Sequence, residues 1–240
     1  MRLIINADDF GLSKSISDGI IEGIKGGYIT STSVMANMEY AEYAVKEAVK
    51  NNISCVGLHI NLTAGKPIIN NQKLTDDKGV FLYNRKQIDN PELTCKDAYN
   101  EIKAQIEMVD KYSDGLLKID HLDMHHQLCE NENAVKALER VAKEYNIPAR
   151  NEYDCDVVKP DILDRAFTIN NITVDYLRGV VSKYQDKDIT VELMTHPGHV
   201  DEYTKSITSY VDREKELQTL KATKEEGIFD KIELISFGQL

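Results

Sequence analysis

The chain has no long apolar run, no run of basic residues and no closely spaced cysteine pair. Each absence removes a class of protein. Spanning a bilayer takes about 18 consecutive apolar residues, and none of the apolar stretches approaches that length. The N-terminus carries no signal-peptide pattern, because Leu3-Ile4-Ile5 is short and Asp8 and Asp9 follow at once. Binding to nucleic acid or to an anionic membrane calls for basic patches. Here 29 Lys and Arg stand against 40 Asp and Glu, for a net charge of −11. The four cysteines (Cys55, Cys95, Cys129, Cys155) lie far apart. They read as reduced thiols of a cytoplasmic protein rather than a disulfide framework. No GxGxxG and no GxxxxGK[ST] is present, so nothing supports a nucleotide site.

What is there is enough for one core. The 240 residues are 42% hydrophobic, which suits a folded single domain over 1–240. Short β-like runs alternate with amphipathic helical stretches. Strands are predicted at 2–9, 31–37, 54–63, 117–128, 147–151, 189–195 and 231–237. Helices are predicted at 15–26, 40–51, 94–112, 131–145, about 174–183, and 206–222. Ile16, Ile20 and Ile24 give the first helix its stripe. Thr94 followed by Asp97 resembles a capping box at the start of another. Such alternation means parallel strands joined by crossover helices. The reading is α/β, a (β/α) barrel with about seven parallel strands, with an open doubly wound sheet as the alternative. Residues 64–93 break the rhythm and read as a lid or substrate loop.

All six histidines fall in three segments: Gly57-Leu58-His59, His121-Leu122-Asp123-Met124-His125-His126, and His196-Pro197-Gly198-His199. Each sits on or just past a predicted strand, as do Asp8 and Asp9. In a barrel these ends share one rim. A single His on a strand is more often a hydrogen-bonded core residue than a ligand. Two imidazoles and a carboxylate from separate strand ends instead suit an open metal site. Asp9, His59 and His125 are the candidates. Asp123 is placed to orient a ligand His. His126 is expected to face away from His125, and His199 to be exposed.

Adjacent carboxylates repel, and one pKa rises unless a cation intervenes. A divalent ion resolves this if one Asp ligates it and the other stays free as a base toward water. Adjacency identifies the pair and does not order it. The competing use, capping the next helix, is open to Ser13 and Ser15 as well. Pro197 and Gly198 pin His196 at a turn, where it either donates a proton to a leaving group or is incidental. Arg150 is placed to pair with a free Asp.

The ordered set resembles the YdjC-like (ChbG-type) carbohydrate deacetylases. The residues that carry the resemblance are Asn6-Ala7-Asp8-Asp9-Phe10-Gly11, Gly57-Leu58-His59, His121-x-Asp123-x-His125 and His196-Pro197-Gly198. The segments around Gly65 to Phe81 and Arg213 to Leu220 are similar too. The resemblance implies a distorted (β/α) TIM-like barrel that removes acetyl groups from N-acetylated mono- or oligosaccharides of the chitooligosaccharide type. It implies a divalent metal, magnesium by family and zinc by ligand chemistry, and a homodimer. It assigns Asp9, His59 and His125 to the metal, Asp8 as base, His196 as acid and Arg150 to orienting Asp8. Gln127 and Cys129 stand where the family often has two further histidines. Two other readings compete: a metal-dependent phosphoesterase or amidohydrolase, and a non-catalytic sugar-binding protein.

Overall fold

The computed structural model describes residues 1–126 and 128–240. Parallel strands β1 (Arg2–Phe10), β2 (Ser31–Val34), β3 (Val56–Ile60), β4 (Leu122–Met124), β5 (Ile162–Asp164), β6 (Thr190–Thr195) and β7 (Glu233–Leu234) form one sheet. Its order is β4-β3-β2-β1-β6-β5. β7 pairs with Arg2 and Leu3 at the start of β1, while β2 pairs with Asn6, Ala7 and Phe10 further along. The helices are α1 (Lys14–Gly26), α2 (Ala41–Lys50), α3 (Arg85–Ile88), α4 (Cys95–Tyr112), α5 (Glu132–Tyr145), α6 (Val174–Tyr184), α7 (Glu202–Ile207) and α8 (Arg213–Glu225). The sheet is a curled half-barrel, and the barrel reading holds in that form.

β1 is the centre of the fold. Residues 2–7 pair with Thr190–Thr195 of β6, and the strand is buried on both faces from Leu3 onward. That explains its near-continuous apolar run, as in parallel sheets covered on both sides. Helices end where local chemistry stops them. Ser13 caps α1 by accepting from the Ile16 amide, and Thr94 caps α4 by accepting from Asp97. α1 lies hard against the His196-Pro197-Gly198 turn. A Cβ on Gly19 would stand 2.7 Å from the His199 nitrogen, and one on Gly198 would stand 2.9 Å from Ile16 Cα. The two glycines permit that approach and fix the turn on the helix.

Several sequence expectations change. The strand at 147–151 is a single bridge, Ala149 to Leu122. Pro148 supplies no amide, so a ladder cannot extend through it. The strand at 231–237 shortens to β7 between two 3₁₀ turns. The run at 117–128 shortens to β4. The helix at 206–222 is two helices, α7 and α8, because the Thr208 hydroxyl accepts the Tyr210 amide and turns the chain between them. β5 lies in the stretch to which no strand was assigned.

Candidate metal centre and catalytic cavity

Regular alternation would send Asp8 and Asp9 to opposite faces of β1. The chain avoids this at the strand's end. The β1–β2 register shifts between Ala7 and Phe10, and Asp9 has φ of 69°. Aspartate tolerates this left-handed conformation better than most residues. Both carboxylates then reach one cavity of about 540 Å³ above the strand ends.

Asp9 Oδ1, His59 Nε2 and His125 Nδ1 face one another as a triangle. The carboxylate oxygen is 3.4 Å from His59 Nε2 and 3.3 Å from His125 Nδ1, and the two imidazole nitrogens are 3.2 Å apart. Ligands about 2.1 Å from a common ion at tetrahedral angles are about 3.4 Å apart. Asp9 Oδ1 is buried and has no hydrogen-bond partner. The tautomer of His59 is set from behind, because Nδ1 bonds Asp123 Oδ1 at 2.8 Å and leaves the Nε2 lone pair free. These residues fit a divalent ion. A second grouping, Asp8, His59 and Asp123, is also compact. Its carboxylates, however, are both already paired with Arg150.

The electrostatics agree. Burial alone would lower the His59 pKa, but Asp123, Asp8 and Asp9 outweigh it and push it up to about 10. The same field favours a cation among these atoms. Burial alone would raise Asp9; Arg213, His125 and His59 overcome that and hold it well below the usual carboxylate range. Arg213 Nη2 donates to Asp9 Oδ2 at 2.6 Å and Nη1 to the His196 carbonyl at 3.3 Å.

Asp8 is held differently. Arg150 grips it bidentately, Nη1 to Oδ2 at 2.9 Å and Nη2 to Oδ1 at 2.7 Å, and Asn6 Nδ2 donates to Oδ1 at 2.8 Å. Arg150 is fully buried and also reaches Asp123 Oδ2 and Glu192 Oε1. Burial pushes the Glu192 carboxyl up to about 7 even beside Arg150. Asp123 goes the other way: burial opposes its charge, but Arg150 and His59 hold it below the usual range. His196 Nε2 is 3.9 Å from Asp8 Oδ2. Its amide donates to Glu216 Oε2 at 2.6 Å, and its ring meets Tyr210 edge-on at 5.5 Å. Burial pushes the His196 imidazole down.

The expected residues Asp8, Asp9, His59, His125, Arg150 and His196 thus line one cavity. His121 does not join them; its ring stacks on Phe237 and its Nδ1 bonds Asp120. His199 lies on the surface between Glu22 and Glu214. His126 departs from expectation. It lies beside His125 with ring centroids 3.8 Å apart, because the strand has ended and His126 has φ of 56°. Thr63 Oγ1 bonds its Nδ1 at 2.8 Å, and burial with the neighbouring His125 pushes its pKa down to about 3. Cys129 is half-buried, with Sγ donating to Glu152 Oε1 at 3.4 Å. Gln127 lies outside the described residues. Three residues escaped the sequence reading. Glu192 had a signal, a carboxylate inside the apolar run of β6. Arg213 lay in a segment already noted as similar, and Tyr210 had no signal.

The family described as YdjC-like protein matches residues 2–226. A carbohydrate deacetylase of Clostridium beijerinckii is 38% identical over 253 residues, covering 100% of both chains. One of Oceanobacillus iheyensis is 37% identical over 229 residues, covering 92% of this chain and 96% of its own. The crystal structure of an Enterococcus faecalis V583 protein proposed for cellobiose-phosphate cleavage superposes with a TM-score of 0.90 at 25% identity, covering 99% of this chain and 98% of its own. The Bacillus subtilis peptidoglycan deacetylase PdaC shares the fold, with a TM-score of 0.53 at 10% identity over 99% of this chain and 88% of its own. Matched along nearly its whole length, the chain belongs to the YdjC-like protein family.

Proposed function

We propose that this protein is a metal-dependent carbohydrate deacetylase that hydrolyses the acetamide of an N-acetylated sugar. One observation carries the reading: three ligand atoms, on Asp9, His59 and His125, face one another at 3.2 to 3.4 Å beside a carboxylate and an imidazole outside that triangle, Asp8 and His196, in one cavity. Asp8 is the base. Arg150 and Asn6 fix its carboxylate, which takes a proton from the attacking water. The water oxygen forms the new bond to the carbonyl carbon, the carbon–nitrogen bond breaks, acetate leaves and the sugar amine gains a proton. His196 delivers that proton. Burial keeps its imidazole neutral at rest, so the proton it delivers is the one Asp8 took from the water, passed on to Nε2, which stands 3.9 Å from Asp8 Oδ2. A divalent ion on Asp9, His59 and His125 supplies Lewis acidity toward the carbonyl oxygen.

The ion we carry forward is magnesium, on family resemblance; the two-imidazole, one-carboxylate donor set also suits zinc. The substrate class is the N-acetylated mono- or chitooligosaccharide, and residues 64–93 act as its lid. The same reading places the enzyme in the cytoplasm as a homodimer, to be measured by fractionation and by sedimentation. Among the described residues no helix is long and apolar enough to cross a membrane.

The phosphoesterase reading needs cations free beside the metal ligands. Arg150 and Arg213 are both buried and spent on Asp8 and Asp9, and Arg165 in the same cavity is paired with Glu152. The deciding experiment strips the enzyme with chelator and reloads it with magnesium or zinc. Acetate release from N-acetylglucosamine and N,N′-diacetylchitobiose is then compared with phosphate release from p-nitrophenyl phosphate. Metal-restored acetate release is expected. Phosphate release without acetate release would overturn the proposal.

A further inference from the structure

The catalytic groups fill only the floor of the cavity. Its walls continue past His126 and carry two further features. One is aromatic. Tyr83, in the 64–93 segment, leaves 66% of its surface exposed. It is not loose: its ring meets His126 edge-on at 5.4 Å, and His126 in turn lies 3.8 Å from the metal-ligand candidate His125. Tyr83 therefore stands two ring contacts from His125. The other feature is polar. Arg165 Nη1 pairs with Glu152 Oε1 at 2.5 Å, with the Glu152 side chain only 6% exposed and Arg165 47% exposed. Both line the same cavity as Tyr83. A buried carboxylate thus fixes a half-free guanidinium in the cavity wall, with donors left over.

A pyranose ring presents an apolar face of C–H groups and an edge of hydroxyls. An exposed aromatic ring suits the first, and a guanidinium–carboxylate pair suits the second. We infer that Tyr83 and the Arg165–Glu152 pair form a subsite for a second sugar unit, next to the unit whose acetamide reaches Asp8. The inference rests on the deacetylase reading for the chemistry of its occupant. It makes Tyr83 and Arg165 specificity residues, favouring a disaccharide over a monosaccharide without touching the reacting atoms.

Tyr83 is largely in solvent and Arg165 about half so, and replacing either opens no apolar core. The test measures affinity by calorimetry for N,N′-diacetylchitobiose and N-acetylglucosamine. The metal-loaded protein carries Asp8→Asn to stop turnover, with Tyr83→Ala, Tyr83→Phe or Arg165→Met added. Tyr83→Ala is expected to weaken the disaccharide by about tenfold, the scale of one aromatic contact, and to leave the monosaccharide within about twofold. Tyr83→Phe should restore the disaccharide, and Arg165→Met should weaken it selectively. Equal loss for both sugars, or no loss for either, would overturn the subsite. Acetate release by the protein with Asp8 intact is followed in parallel. If that fails while the selective loss in binding persists, the deacetylase reading falls and the subsite stands.

Discussion

At the scale of single residues, the site depends on two adjacent aspartates being kept apart in role. Asp9 has a left-handed backbone and an oxygen without a partner, while Asp8 is gripped by Arg150 and Asn6. Asp8→Asn keeps the size and one of the two Arg150 hydrogen bonds but loses the proton acceptor. Its kcat should fall at least about a hundredfold, the scale of general-base catalysis, with metal content unchanged by elemental analysis. Near-normal turnover would remove Asp8 from the base role. Asp123 tests the other half. Its carboxylate fixes the His59 tautomer and supplies negative charge behind it. Asp123→Asn removes charge from a buried cation site, so metal affinity should drop by about ten- to a hundredfold; unchanged affinity in a metal titration would refute this. Asp8, Asp9, His59, His125 and His196 were legible because each stands at a strand end in a parallel fold. Arg213 was not assigned, since it comes from a helix 204 positions away along the chain and no spacing rule joins it to Asp9. The His126 expectation failed because alternation holds only while a strand lasts.

At the scale of elements, the 64–93 segment is tied down from beneath. Glu101, buried on α4, accepts the Ile68 and Ile69 amides at 2.8 and 2.9 Å. Gln87 donates to the Leu62 and Leu74 carbonyls at 2.8 and 3.1 Å. The base of the segment is therefore fixed while Tyr83 lines the cavity. Glu101→Ala strands two amides and should cost about 1–3 kcal/mol of local stability. Limited proteolysis is expected to cut within 64–93 several times faster, with metal uptake intact. Cleavage at the original rate would show that the segment is held by other contacts. Helix starts were legible because their caps are local chemistry, as at Thr94 and Ser13. The short strands were not. β7 has two residues, and its position depends on the start of β1 rather than on its own sequence. Likewise the 147–151 run is apolar enough for a strand, but Pro148 leaves a single bridge there.

At the scale of the whole molecule, the barrel was legible from strand–helix alternation, whereas its incomplete closure was not, because the edge run at 147–151 makes only one bridge to Leu122. The same architecture draws acidic groups inward around a few buried cations, and stability should depend on pH and metal together. The pKa of His59 is raised above its unfolded value of about 6.5 to about 10 in the fold. Its contribution is therefore full below the unfolded value and is lost as pH rises toward the folded one. Glu192 and Glu216 are pushed up to about 7 by burial, so their contributions have the same sign and are mostly gone by that pH. His126 and His196 are shifted down and act in the opposite sense, below about pH 6.5. Between about pH 7.5 and about pH 8, then, His59 dominates; above that the thiols of Cys55, Cys129 and Cys155, raised by burial, add slope of the same sign whether or not the metal is bound. The metal-free protein should lose up to about 1.4 kcal/mol per pH unit, about 3–5 °C in Tm for a chain of this size. A bound divalent ion takes the place of that proton, so the loaded protein should show little slope over the same range. Thermal unfolding of both forms reads this directly. Parallel slopes in the two forms would mean that the ion does not sit on His59, and the assignment of the Asp9, His59 and His125 donors would fall with it.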